Sequence, residues 1–156
     1  MPPTVMIIGI GNEYRHDDGV GIAVARAVRT GVPGGVTVFE RGGEGTDLIA
    51  TWSDADLAIV IDAVSSGEPA GTIHWYQVDA ASADALPTAE IFRGTSHQIG
   101  LGEGIALAKL LGMLPKKMIV YGIEGETYGD GVALSPAVQR AVGDVAARVL
   151  ADCAQI

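Results

Sequence analysis

Three uninterrupted apolar runs limit what this chain can fold into: Val5-Met6-Ile7-Ile8, Leu57-Ala58-Ile59-Val60-Ile61 and Met118-Ile119-Val120-Tyr121-Gly122-Ile123. A strand with one wet face alternates apolar and polar residues, whereas an unbroken run rich in β-branched types reads as a strand covered on both faces. Helical stripes flank these runs. Val20, Ala23, Val24, Ala27 and Val28 recur at helical spacing, as do Val138, Val142, Val145 and Val149 after Ser135-Pro136, a cap followed by proline at the first helical position. The expected fold class is therefore α/β, a mainly parallel sheet with helices on both faces. No linker-like stretch divides the chain, so residues 1–156 are expected to form a single domain.

The intervening segments fit that frame. Val36-Thr37-Val38-Phe39 reads as a further strand, and Leu48, Ile49 and Trp52 as a helix capped by Thr46 or Asp47. Thr72 to Val78 is aromatic and β-branched with imperfect alternation, which predicts an edge strand with His74 half-buried in its middle. Asp79 to Gly94 has no period and reads as a long loop. Thr95 and Gln98 have capping-box spacing, which predicts a helix from there through Leu101, Ile105, Ala108 and Leu111. His97 then falls in a first helical turn, where the positive helix end favours the neutral, metal-ligating imidazole.

Charge narrows the partners. Lys and Arg number 10 against 19 Asp and Glu, a net charge of −9, which argues against non-specific binding to nucleic acid or anionic membrane. The first apolar run follows Met1-Pro2-Pro3-Thr4, has no basic segment before it and is too short for a signal core or membrane span, so the expected location is cytoplasmic. Cys153 is the only cysteine, which excludes an internal disulfide and a cysteine metal cluster.

Chemistry is expected at the glycine-rich turn from Gly9 to Gly21, which joins the first strand to the first helix. Ligands of open α/β sheets bind beyond the carboxyl ends of the strands. Gly9 and Gly11 begin a dinucleotide fingerprint, but Tyr14 replaces its third glycine, and Asp17 and Asp18 stand where pyrophosphate needs bare N–H groups. Asp17 could instead cap the helix while Asp18 complements its dipole, or one of them could ligate a metal. Asp62, after the second apolar run, reads either as a cap for the turn at Ser65 and Ser66 or as a functional acid. The glycines after Arg41, Gly42 and Gly43 among them, suggest a close backbone approach or a simple loop.

Asp18, Asp62 and His97 can all reach one rim of such a sheet. Two carboxylates and an imidazole suit a divalent ion such as nickel, zinc or manganese with coordination positions left open. The sequence has no G-x-S-x-G elbow, no H-E-x-x-H and no P-loop, which disfavours ordinary serine and zincin mechanisms.

The ordered set Gly9-Ile10-Gly11-Asn12, Asp17-Asp18-Gly19-Val20-Gly21, Ile61-Asp62-Ala63, Ser96-His97-Gln98, Gly122-Ile123-Glu124 and Leu134-Ser135-Pro136 resembles the nickel-iron hydrogenase maturation endopeptidases over almost the whole chain. The resemblance implies a three-layer α/β sandwich with a twisted sheet. It also implies a protease that trims the C-terminal extension of the hydrogenase large-subunit precursor once nickel is inserted. The family's metal-binding triad maps onto Asp18, Asp62 and His97, with Asp18 at a position often occupied by glutamate. The family's second glycine loop commonly has an acid before Gly-Gly-Thr, here replaced by Arg41 before Gly42 and Gly43, which leaves Glu40 or Glu44 to take that acid's part. The implied mechanism has three forms: the triad recognises nickel held by the precursor, the ion assists hydrolysis, or a carboxylate activates water as in an aspartic-type peptidase. Two other readings stand beside it, a metal-binding chaperone or regulator that does not cut, and a nucleotide-binding Rossmann-like module.

Overall fold

The computed structural model describes residues 2–78 and 100–156. Its strands are β1 (Val5–Ile10), β2 (Val36–Arg41), β3 (Leu57–Val64), β4 (Ile73–Val78) and β5 (Lys117–Glu124), in the spatial order β2-β1-β3-β5-β4. The first three and β5 run parallel, and β4 is antiparallel to β5 at the edge, as the broken alternation of its sequence predicts. The helices are α1 (Val20–Val28), α2 (Gly45–Trp52), α3 (Leu101–Leu111) and α4 (Pro136–Ala154). Every residue of β1 and β3 is buried, because helices cover both faces of the sheet.

Alternate residues of the central strands feed two cores. Ile7, Ile59 and Ile61 pack with Val24 of α1 and Val142 and Val145 of α4. Ile8, Val60 and Val120 pack with Leu48 and Trp52 of α2 and Leu101 and Ile105 of α3. Cys153 is a free, buried thiol of the first core. Among the described residues no helix is long and apolar enough to cross a membrane.

Several boundaries differ from those the sequence suggests. The strand bearing Asp62 continues to Val64, because β5 pairs with it as far as Val64 opposite Glu124. α2 begins at Gly45, where the Glu44 carbonyl accepts from Leu48 N at 3.0 Å, so neither Thr46 nor Asp47 caps it. α3 begins at Leu101, with Gly100 N donating to Glu103 Oε2 at 2.6 Å. The expected loop 79–94 and the Thr95–Gln98 capping box lie outside the described residues.

One glycine sets how closely α1 meets the sheet. A Cβ at Gly21 would collide with the carbonyl oxygens of Ile10 and Ile61, backbone atoms that cannot turn aside. Gly21→Ala is therefore expected to lower stability by about 1–3 kcal/mol, the range for overpacking a filled core. A urea unfolding midpoint unchanged from wild type would show that α1 can ride further out.

Candidate functional site

From β1 the chain passes through α1 to β2, then crosses back so that β3 lies on β1's other side. Between β1 and β3 the connections diverge, the crevice where ligands of open α/β sheets bind. The pairing of β1 with β3 ends at Gly9 opposite Ile61. Asp62 is the next residue of β3, so it stands where its neighbour on that side has fallen away.

That space is taken by the turn after β1. His16–Gly19 form a single 3₁₀ turn ahead of α1, whose N-cap is Gly19 with no side-chain cap. Asp17 therefore does not cap α1 as the sequence allowed. Asp17 and Asp18 are 0% and 6% exposed, and Asp62 is 5% exposed. Adjacent in sequence, the first two do different things.

Asp17 is a structural hub. Its Oδ2 accepts from Glu126 N at 2.9 Å, Thr127 N at 3.0 Å and Ser135 Oγ at 2.7 Å, and its Oδ1 accepts from Ser135 N at 2.8 Å. Burial alone would push this carboxyl up, but the four hydrogen bonds outweigh it and hold Asp17 below the ordinary aspartate range. Ser135, readable as a helix cap, thus spends its hydroxyl on Asp17 and makes no side-chain cap bond to α4. Further backbone bonds join the same segments, including His16 N to Gly131 O at 2.7 Å and Asp17 N to Thr127 O at 2.9 Å.

Asp18 and Asp62 are short of partners. Asn12 N donates to Asp18 Oδ2 at 3.1 Å, and Ala63 N donates to Asp62 Oδ1 at 2.8 Å. Burial pushes Asp18 up, with the Asn12 bond and the Arg15 charge pulling the other way. Burial also drives Asp62 well above the ordinary range, and the Asp18 carboxylate adds to the rise. The two acids therefore share one electrostatic site. Two buried carboxyls of this kind favour holding a proton or a cation between them. The alternative in which Asp62 caps the turn at Ser65 and Ser66 does not hold, because Ser66 N donates to Glu124 at 3.0 and 3.2 Å.

Glu124, of the Gly122-Ile123-Glu124 motif, is a buried acid at the end of an apolar strand. It is 1% exposed, and it accepts from both Ser66 N and Ser66 Oγ while lying 3.2 Å from His74 Nε2. His74 is half-buried on β4, as expected, and stacks on Tyr76.

A cleft of about 310 Å³ is lined by Gly11, Asn12, Tyr14, Glu40, Arg41 and Gly42, and Asn12, whose N–H bonds Asp18, links it to the acids. Gly43 has φ +92°, and a Cβ there would lie 3.1 Å from the Ile10 side chain. Arg41 lies over the Phe39 ring and reaches Thr51 Oγ1 at 3.3 Å and Asp47 Oδ2 at 3.4 Å. Of the neighbouring acids, Glu40 is held by Arg26 at 3.0 Å and Arg29 at 2.8 Å, whereas Glu44 is exposed. Among the described residues no three His, Cys, Asp or Glu side chains form a metal-holding group. His97, the third expected ligand, lies outside the described residues.

The geometry can be set beside known proteins. The family model that matches residues 21–152 is described as hydrogenase maturation protease. The chain is 31% identical to the hydrogenase expression/formation protein HupD of Bradyrhizobium diazoefficiens, across 95% of this chain and 78% of that one. It is 34% identical to HupD of Rhodobacter capsulatus, across 88% of this chain but only 65% of that relative's length. In fold it is similar to the hydrogenase maturating endopeptidase HybD from Escherichia coli, with a TM-score of 0.79 at 22% identity over 97% of this chain and 92% of that one.

Proposed function

This chain belongs to the hydrogenase maturation protease family, and on that basis we propose that it is the endopeptidase that removes the C-terminal extension of a nickel-iron hydrogenase large-subunit precursor after nickel insertion. One observation carries the reading to residues: Asp18 and Asp62, from distant parts of the chain, are buried acids with one backbone N–H partner each, one in the turn after β1 and the other where the β1–β3 pairing ends. Their chemistry suits a divalent ion, since a cation relieves the repulsion that burial imposes on both carboxylates. Asp18 and Asp62, with His97, would grip the nickel that the precursor brings as part of the substrate. The ion's open coordination positions would let the enzyme tell loaded precursor from empty.

The reaction is amide hydrolysis. Asp62, a buried carboxylate where the pairing of β1 with β3 ends, takes a proton from the attacking water. The cleft beside Asn12 receives the precursor strand, with the backbone of Gly42 and Gly43 alongside it. The precursor is the sole partner this reading requires, and the work takes place in the cytoplasm.

Incubation with nickel-loaded precursor tests the proposal by mass spectrometry. Loss of the precursor's C-terminal segment supports it, whereas a stable complex with intact precursor would identify a chaperone instead. His97→Ala is expected to weaken nickel retention at neutral pH by more than the about 10–100-fold typical of residues that merely support a ligand. Nickel measured after desalting checks this, and undiminished occupancy would remove His97 from the triad.

A further inference from the structure

Asp18 and Asp62 can act together only while the turn after β1 keeps its place against β3. The 3₁₀ turn that carries Asp18 lies close to β3, yet the pairing of β1 with β3 stops one residue short of Asp62. Something other than the sheet has to hold the two pieces in place.

Glu124 is buried whole at the end of β5, and a carboxylate so buried is costly unless hydrogen bonds meet it. Its side chain is committed to Ser66, two residues past the end of β3. Ser66 N donates to Oε1 at 3.0 Å and to Oε2 at 3.2 Å, and Ser66 Oγ donates to Oε1 as well. His74 Nε2, on β4, lies 3.2 Å from the same oxygen. The backbone of Glu124 holds the connection between those strands: its N–H donates to Thr72 O at 2.9 Å, and Gly71 N donates to its carbonyl at 2.8 Å. One residue thus gathers the exit of β3, the connection after it and β4.

The next four residues carry this hold across to the other acid. Gly125 N donates to Val64 O at 3.2 Å, and the Tyr128 hydroxyl donates to the same carbonyl at 2.9 Å. Between them, Glu126 N and Thr127 N donate to Asp17, the neighbour of Asp18, and Asp17 N donates back to Thr127 O at 2.9 Å. The fit is close. A Cβ at Gly125 would lie 2.5 Å from the Tyr128 hydroxyl oxygen and 2.8 Å from the Asp17 Cβ, so this segment cannot slide without moving Asp17.

We propose that Glu124 is a positioning residue that, through residues 125–128, locks the end of β3 to the turn after β1 and so sets Asp62 and Asp18 in mutual register for the precursor. This rests on the endopeptidase reading above. None of the partners of Glu124 lines the cleft at Gly11 and Asn12, so its effect falls on the chemical step and not on binding.

The test compares wild type, Glu124→Ala, Glu124→Gln and Val149→Ala, the last a truncation in the core beneath α4 that lowers stability without touching the clamp. Two readouts are taken: processing of nickel-loaded precursor, and the NMR shifts of the Ala63 and Asn12 amide protons, which report the bonds to Asp62 and Asp18. Glu124→Ala is expected to lower kcat by about 10–100-fold, the loss typical of a residue that supports a ligand, with KM nearly unchanged and both amide protons moved upfield. Glu124→Gln keeps an oxygen for Ser66 and should recover most of both. Val149→Ala should lower the urea midpoint and leave kcat and both shifts alone. Unmoved shifts, an undiminished kcat, no recovery with glutamine, or the same losses in Val149→Ala would each overturn the assignment. If Glu124→Ala does not fold, Ser66→Ala decides. It withdraws one donor, so a kcat lowered by about 2–10-fold with shifted amides supports the clamp, whereas wild-type values overturn it. A wild-type chain that leaves the precursor intact removes the endopeptidase reading, and the amide shifts alone then judge whether Glu124 joins the two segments.

Discussion

Replacing Asp62 with asparagine is expected to stop precursor processing while making the folded chain more stable. Asparagine keeps an oxygen to accept from Ala63 N, so the local backbone is undisturbed. It cannot take a proton from water or bear charge opposite a cation, and processing should fall by at least about 10³-fold, within the range for losing a general base. Stability moves the other way. Asp62 binds its proton more tightly in the folded than in the unfolded chain, so wild type is penalised as pH rises through the folded value. It recovers fully below the ordinary value of 3.8. Urea unfolding of the asparagine variant should therefore show a gain of about 1 kcal/mol or more at about pH 8 that shrinks on acidification. A variant that still shortens the precursor, or one equally destabilised at every pH, would take Asp62 out of this role.

Asp17→Ala should have the opposite profile. Removing its carboxylate strands four buried donors, from Glu126, Thr127 and two groups of Ser135. Each buried unsatisfied donor costs about 1–3 kcal/mol, and since such costs are not additive the expected loss is about 4 kcal/mol. Asp17→Asn, which can turn its oxygen toward the three donors on Oδ2, should lose about half of that. The folded pKa of Asp17 lies below 3.8, so its contribution is complete above that value and lost as pH falls through the folded one. The gap between wild type and Asp17→Ala should thus be wide at neutral pH and close in strong acid. A urea midpoint within experimental error of wild type at neutral pH would show that the loop from 126 to 135 is held by other contacts.

The contrast between these neighbours marks where sequence ceases to be enough. The unbroken apolar runs foretold the central strands, and the imperfect pattern around His74 foretold the edge. The strand-end rule drew notice to Asp18 and Asp62, which the fold buries, although nothing in their spacing could. Asp17 was indistinguishable from a helix cap because its partner Ser135 lies 118 residues away. The reach of β3 past Asp62 depended on β5, a partner that local pattern does not specify.

The acids and the cleft are carried by different pieces of backbone. Asp62 belongs to the interior of β3 and Asp18 to a turn riveted through Asp17, whereas the cleft is bounded by the end of β2 and the glycines after it. The loop after β2 can thus vary in sequence while the backbone that holds the two buried acids stays as it is.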